Sequence, residues 1–464
     1  MTSLTVSRNR ILVVLVPLML VLFISNLDQT IVATAIPSIG RDLGALESSS
    51  WIATSYLLTS AVSTLIFGKL GDMYGRKRIF QIAIVVFLLG SVLAGLSQSL
   101  VMLVIFRGLQ GIGGGGLNSL VMAIVGEVIP ARQRSKYQAL TGIVATIALI
   151  AGPFLGGLFS DTLSWRWIFY INIPIGLVAL VIIGLRVHLN TPNSTGRVDV
   201  WGGVLVTIGT AALLLFATDT AQWSLLILAV VGLGAFIVVE SRAAEPITPL
   251  HLFRSSVFSI SSVQFFVSTL VLFVGMLYVP LFLQSVQHYS AFVAGLFLIP
   301  QLVGLIVATA VAGPLISKTG HYKQYPIIGA VLTGVSMWFL STVDAGTAAW
   351  AIIVPLVFAG AGIGLFVQVS LLAGQNAVDY RFLGVATGAL NFFKSIGGAL
   401  GAAVFGAILA ASGGVASVGA YQEVFFWTVP FMALALVLGV LMKEKPLSEE
   451  MMLVADGSVE AKEY

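Results

Sequence analysis

Three charged side chains interrupt long apolar stretches of this 464-residue chain: Asp28, Arg107 and Lys394. An ionised group in hydrocarbon costs at least ~2.5–3.5 kcal/mol on insertion scales, so a carboxylate placed there is expected to face a cavity and to have a task. Asp28 is the acid nearest the middle of such a stretch. Burial disfavours a carboxylate and a nearby cation favours it, so this group can gain and release a proton as its surroundings change. The alternative is a polar anchor with no transport role. Arg107 lies about six residues inside one end of its stretch and Asp28 about ten inside the corresponding end of its own, a depth difference of ~6 Å at 1.5 Å per residue. The two can therefore pair, as a proton switch or as a static pair that orders the first half of the chain. Lys394 has a stem long enough to snorkel toward an interface.

The elements that must hold these groups are apolar helices. Hydrophobic residues make up 58% of the chain and charged ones 9%, against about 25% charged in soluble proteins. Apolar runs near the ~20 residues needed to cross a bilayer recur along the chain, and run length selects helices over barrel strands. The runs lie near 11–37, 50–68, 79–97, 101–127, 137–159, 167–186, 200–217, 224–240, 257–283, 291–316, 325–342, 348–373, 383–411 and 424–442, fourteen in all. The first follows Arg8 and Arg10 and has the outline of a signal peptide, but it continues through Asp28 to Pro37 without a small-residue cleavage pattern. It is read as a span. An even number of spans puts both termini on one side. With that side cytoplasmic, nineteen of the 23 basic residues fall inside, Arg41 and Arg166 fall outside, and Arg107 and Lys394 lie within spans. Glu127, Asp161 and Asp219 lie near span ends and are expected to be solvated.

Composition also excludes function classes. The four histidines are scattered and cysteine is absent, so no metal or thiol site and no disulfide framework is expected. No Walker loop appears, which leaves an ion gradient or the substrate itself as the energy source. No polar rings suggest a channel. The net charge of +4 fits cytoplasmic loops beside anionic lipid and gives no reason to expect nucleic acid. The expected partners are a small-molecule substrate, protons and the bilayer, with no cofactor and a monomeric chain. The segment Lys443–Tyr464 is charged and weakly apolar and is expected to be a disordered cytoplasmic tail.

An internal repeat links two loops. Gly68-Lys-Leu-Gly-Asp72-Met-Tyr-Gly75-Arg76-Lys-Arg78 aligns without a gap on Gly313-Pro-Leu-Ile-Ser317-Lys-Thr-Gly320-His-Tyr-Lys323. Two homologous six-span halves with an inserted pair account for fourteen, and a site between repeated halves is a transporter signature. The expected division is 1–186, a linker with two inserted spans at 187–256, 257–442, and the tail at 443–464. The inserted pair is expected to be peripheral.

These features together resemble the major facilitator superfamily, and within it the fourteen-span drug:proton antiporters. The resemblance rests on Gly68–Arg78, on Leu27–Pro37, on Arg107-Gly-Leu-Gln-Gly111, and on Gly152-Pro153-Phe-Leu-Gly156-Gly157 running on to Trp165–Pro174. It implies an all-α integral membrane protein of two six-helix halves plus two inserted helices, exporting small amphipathic compounds in exchange for protons. It makes Asp28 and Arg107 a proton-coupling pair, since the first and fourth spans line the cavity of that fold. Gly68, Asp72, Gly75, Arg76 and Arg78 become a latch holding one access state, although basic residues here also fix topology. Gly152, Pro153, Gly156 and Gly157 resemble the antiporter helix motif and equally form a packing surface. By the same analogy Phe265, Phe266, Tyr278, Gln284, Gln301, Phe366 and Gln368 are candidates to line the cavity, suited to neutral or monocationic amphipathic compounds. A symporter or facilitator working inward is the main alternative.

Overall fold

The computed structural model describes residues 8–43, 51–129, 131–187, 199–218, 222–243, 246–289, 291–379 and 382–444. Their regular structure is helical, as a medium without water demands of any spanning backbone that is not a closed barrel. A first bundle comprises α1 (Arg8–Asp42), α2 (Trp51–Tyr74), α3 (Arg76–Gly95), α4 (Leu100–Val128), α5 (Ala131–Thr162) and the consecutive α6 (Trp167–Tyr170) and α7 (Asn172–Arg186). Next come α8 (Val200–Thr218), α9 (Trp223–Glu240) and a 3₁₀ turn, Leu250–Arg254. A second bundle comprises α10 (Ser256–Ser285), α11 (Ala291–Leu296) with α12 (Leu298–Thr319), α13 (Gln324–Leu340), α14 (Ala349–Asn376), α15 (Leu383–Ala411), and α16 (Val418–Phe426) with α17 (Thr428–Leu441).

Among the described residues eleven helical segments are long and apolar enough to cross a membrane. Three shorter apolar stretches, Leu140–Gly156, Trp201–Phe216 and Gln324–Leu340, lie where the fifth, seventh and eleventh spans are expected. The outer surface is apolar: Val101, Leu185, Trp201 and Trp350 are 68–72% exposed, a cladding that suits hydrocarbon rather than water. The expected tail lies outside the described residues from Lys445 onward.

Packing repeats between the bundles. In the first, α2 and α3 both lie on α4, α1 lies on α5 and α7, and α3 lies on α7; in the second, α12 and α13 lie on α14, α10 on α15 and α17, and α13 on α17. The contacts across the bundles follow the same exchange, with α2 and α4 on α15 and, reciprocally, α12 and α14 on α5. The repeated loop glycines share a backbone requirement as well. Gly75, between α2 and α3, has φ 90° and Gly320, after α12, has φ 74°, a left-handed conformation that glycine adopts without a Cβ penalty. After Gly320 the loop is held by Glu444, whose carboxylate accepts the N–H groups of Tyr322 (2.6 Å) and Lys323 (3.1 Å). Partial burial pushes its pKa up, but those two bonds and His321 outweigh that and leave it below the usual glutamate value.

The inserted pair divides: α9 packs on α8 and is exposed along much of its length, as a peripheral helix would be, whereas α8 is not peripheral and lies on α2 and α15. Val206 of α8, with Ile247 and Leu252 from the segment after α9, shares one apolar cluster with Val62 and Leu65 of α2, Phe265 of α10 and Val385 of α15. The physical reason is that α2 and α15 meet across the bundles and leave an apolar seam that a further helix covers.

Close helix approach within the second bundle depends on missing side chains. A Cβ on Gly360 of α14 would lie 2.7 Å from the backbone carbonyl carbon of Gln301 on α12, and one on Gly304 would lie 2.9 Å from that of Val357. Backbone cannot step aside cheaply, so overpacking here costs about 1–3 kcal/mol. Gly360→Ala is expected to lower the thermal midpoint of the detergent-solubilised protein by several degrees. Gly234→Ala, at a position with nothing within 4 Å, is expected to leave it unchanged or slightly raised, and equal losses at the two sites would contradict this account of the packing.

Candidate functional site

Asp28 of α1 and Arg107 of α4 meet in the interior of the first bundle, where their side chains are 0% and 1% exposed. Arg107 Nη1 donates to Asp28 Oδ2. The other carboxylate oxygen, Oδ1, accepts from Gln110 Nε2 (2.9 Å) and Asn172 Nδ2 (3.0 Å). Both amides also reach Ser91 Oγ, at 3.1 and 3.0 Å, and Ser91 passes its own hydrogen to the carbonyl of Phe169 at 2.8 Å. Arg107 further donates to Gln110 Oε1 (2.8 Å) and to the Ile52 carbonyl (3.3 Å), and its guanidinium lies 4.3 Å over the Tyr56 ring. Taking two ions out of water costs several kcal/mol each, which a single contact would not offset. Here each charge is met by several partners at once.

Local sequence explains the assembly. Gly111 and Gly115 bring α4 against α2: a Cβ on Gly115 would lie 2.9 Å from the Ser60 carbonyl carbon, and one on Gly111 the same distance from Tyr56 Cα. Gly113 does the same toward Phe87 on α3, at 2.6 Å from its Cα. Thinned in this way, α4 lets Tyr56 reach Arg107 and Ser91 reach Gln110. Asn172 stands where helix restarts after Ile171. Pro174, two residues on, has no N–H to give to the preceding turn, which is consistent with the break between α6 and α7.

Gly152 packs on the helix that carries Asp28: a Cβ there would lie 2.7 Å from Thr30 Cβ and 2.9 Å from the Ile31 nitrogen. Gly156, one turn on, is buried. Pro153 and Gly157 belong to α5, but their surroundings lie outside the described residues.

The loop residues form a second constellation. Arg76 donates to Asp72 Oδ1 (2.8 Å) and to Glu127 Oε2 (3.0 Å). Asp72 Oδ2 accepts the Val385 N–H at 2.8 Å, in the first turn of α15. That N–H is one of the donors a helix start cannot satisfy itself, and the helix dipole adds to the attraction. A carboxylate of one bundle thus caps a helix of the other. Gly68 permits the approach, since a Cβ there would be 2.8 Å from the Gly384 carbonyl oxygen, and Gly384 is itself needed because a Cβ on it would strike the Asp72 carboxylate. Gly75 turns the chain between the two helices, Arg78 is exposed, and Lys77 donates to the Gly184 carbonyl at 3.0 Å. Glu127, expected to be solvated, is instead 16% exposed and ion-paired, because Arg76 needs a second acceptor.

The seven cavity candidates do not share one surface. Phe265, Tyr278, Gln301, Phe366 and Gln368 are buried, Phe266 is half-buried and Gln284 is exposed. Tyr278 and Phe366 belong to the main apolar core of the second bundle, with the Tyr278 hydroxyl donating to the Ala402 carbonyl. Neither amide atom of Gln301 has a hydrogen-bond partner among the described residues. Sequence reasoning passed over Gln110, Asn172, Ser91, Tyr56 and Gly384. Gln110 and Asn172 stand inside the quoted motifs, so a polar side chain one helical turn from Arg107 was the available signal; Ser91 and Tyr56 offered none. No group of three or more metal-ligating side chains occurs among the described residues.

Residues 18–402 match the model of the Major Facilitator Superfamily. An uncharacterized MFS-type transporter of Mycobacterium tuberculosis is 39% identical over 389 residues, which is 82% of this chain and 57% of that protein, so the chain spans little more than half the length of that relative. Multidrug transporter protein MdtP of Bacillus subtilis is 34% identical over 406 residues, covering 86% of this chain and 75% of that protein. The fold is similar to that of the proton:xylose symporter XylE, with a TM-score of 0.71 at 16% identity over 96% of this chain and 99% of that one. The helical membrane architecture, the repeated packing and these similarities together establish that the chain belongs to the Major Facilitator Superfamily and is a multi-pass membrane protein.

Proposed function

We propose that the protein is a proton-coupled antiporter of the fourteen-span drug:proton type. In this reading it exports small amphipathic compounds by alternating access across a bacterial cell membrane, as a monomer with both termini cytoplasmic. The inserted pair at 187–256 then separates transport halves at 1–186 and 257–442. The observation that carries the reading is the Asp28 carboxylate, buried without exposure and held by Arg107, Gln110 and Asn172. A proton arriving on Asp28 converts the carboxylate to a neutral acid and removes the attraction that holds Arg107. Arg107 keeps its charge and must find other partners, so α1 and α4 shift relative to one another, which couples proton uptake to a change of access. Support for efflux comes from Gly152 set against the Asp28 helix and from the multidrug names of relatives such as MdtP. Asp72 on the α15 start then stabilises the state in which that end is closed.

Two measurements check this. In inverted vesicles energised by a fixed pH difference, Asp28→Asn is expected to abolish gradient-driven dye transport while dye binding persists. Gln110→Met is expected to slow transport at least tenfold, as the loss of charge-assisted bonds worth about 1.5–3 kcal/mol would suggest. Unchanged coupling in Asp28→Asn ends the assignment, and an absence of gradient dependence in the wild type favours a facilitator. For the latch, Ser119→Cys introduces a single thiol into a chain with no cysteine, at a buried position whose hydroxyl lies 3.4 Å from a Cβ placed on Gly388. Combining it with Asp72→Asn is expected to speed maleimide labelling about tenfold, the shift that ~1.4 kcal/mol of lost closure energy produces. An unchanged labelling rate would remove Asp72 from that role.

A further inference from the structure

Lys394 is the embedded charge that the Asp28 network leaves out. It is the twelfth residue of the 29-residue α15, about 15 Å along the helix from Gly384 at 1.5 Å per residue. Its position around the helix is fixed by its neighbours. Gly388 faces the Thr64 carbonyl of α2, while Gly397, Gly398 and Gly401 face Phe266, Phe273 and Leu270 of α10. At 100° per residue, Lys394 falls within the sector that faces α10, whose Phe265 shares an apolar cluster with Val62 and Leu65 of α2 where α10 borders the first bundle. The backbone there is anchored, since Thr269 Oγ1 donates to the Lys394 carbonyl at 2.9 Å. The side chain is only half-buried although the helix is packed on α2, α4, α8, α10 and α14. Its ammonium lies 5.9 Å from the centre of the Phe265 ring, and the structure gives it no carboxylate partner among the described residues.

A cation at this depth without a counter-charge is costly unless it meets water or an anion. Asp28 cannot supply that charge, because it is spent on Arg107 within the first bundle. Asn391, one turn before Lys394 and turned further toward the first bundle, adds a buried amide whose Nδ2 is taken by the Thr387 carbonyl at 2.9 Å. Phe265, Phe392 and Phe393 supply aromatic surface near the same segment.

We infer that Lys394 is a substrate-recognition residue in the space between the bundles, selecting amphipathic monoanions, an aryl sulfonate or aryl carboxylate being the fitting class. The acidic group pairs with the ammonium and the ring stacks on the phenylalanines. This deepens the reading of the protein as a transporter of small amphipathic compounds and rests on it, while shifting the preferred charge from neutral or cationic to anionic.

The test is equilibrium binding to the full chain in lipid nanodiscs, with no gradient, using 1-naphthalenesulfonate and the similarly sized cation 1-naphthylmethylammonium. Lys394→Gln is expected to weaken sulfonate binding at least tenfold and to leave the cation's affinity unchanged or improved, and Lys394→Arg to retain sulfonate binding within about threefold. Equal weakening of both probes in Lys394→Gln would mean a structural role, and unchanged sulfonate binding would mean that the ammonium snorkels to the interface; either overturns the inference. Wild-type protein that binds the cation but not the sulfonate overturns it while leaving the export reading intact, whereas binding of neither removes both. Loss of proton coupling in vesicles alongside the expected binding pattern would sink the antiport mechanism and leave this site standing.

Discussion

A carboxylate and a guanidinium that share a site without water must be satisfied almost entirely by each other and by neighbouring dipoles. That constraint organises the first bundle. Asp28 and Arg107 are held by Gln110, Asn172, the Ile52 carbonyl and the Tyr56 ring, which ties α1, α2, α4 and α7 to one charge pair. Removing one member of such a pair leaves the other unpaired in a low-dielectric interior, a loss of about 3–5 kcal/mol. In the proposed mechanism a proton on Asp28 does the same chemically and reversibly, which is how such a buried pair would act as a switch.

In the proposed alternating-access cycle, the second constraint is how two bundles close and reopen. A large interdigitated interface would hold them in one state. Here the close contacts at Gly68 and Gly388 are against the backbone of the other bundle, and the Asp72 carboxylate packs on Gly384 and caps a helix start of the other bundle. Both are short-ranged, so they are lost together when the bundles separate by a few ångström. The packing exchange that relates α2 on α15 to α12 on α5 places a comparable seam on the other side, where Gly142 meets Thr309, with 3.3 Å between a Cβ and Thr309 Cγ2. The acid is not duplicated, because Ser317 stands at the repeat position of Asp72. The closing charge therefore comes from one bundle alone.

Much of the site was legible because a charge in an apolar run is conspicuous and depth along a helix can be counted. Counting along the helices places Asp28 and Arg107 at similar depth, and the two side chains touch. The loop glycines were legible as a repeat, and both carry the positive φ that only a special backbone position requires. Gln110 and Asn172 were harder to see, since an amide in a span reads as a packing residue until something shows which face it occupies. The cavity candidates followed from residue type and from their place on spans that line the cavity by family analogy, and neither reports orientation: Tyr278 and Phe366 turn into the core while Gln284 turns outward. The interior of α8 carries no charge to advertise a role, and its place over the α2 and α15 seam follows from apolar area, which composition cannot direct.

The sequence by itself determined that this chain lives in a membrane, that helices cross it and that its halves repeat. Those conclusions follow from run length, from the cost of bare backbone in hydrocarbon and from residue-by-residue alignment, all of them one-dimensional properties. Only the tertiary structure decided which polar groups meet around Asp28, that Asp72 reaches the start of α15 and that Lys394 has no carboxylate partner among the described residues. Such facts depend on helix rotation and close approach, which are set by where glycines remove a Cβ and by which faces pack, and neither can be counted along the chain.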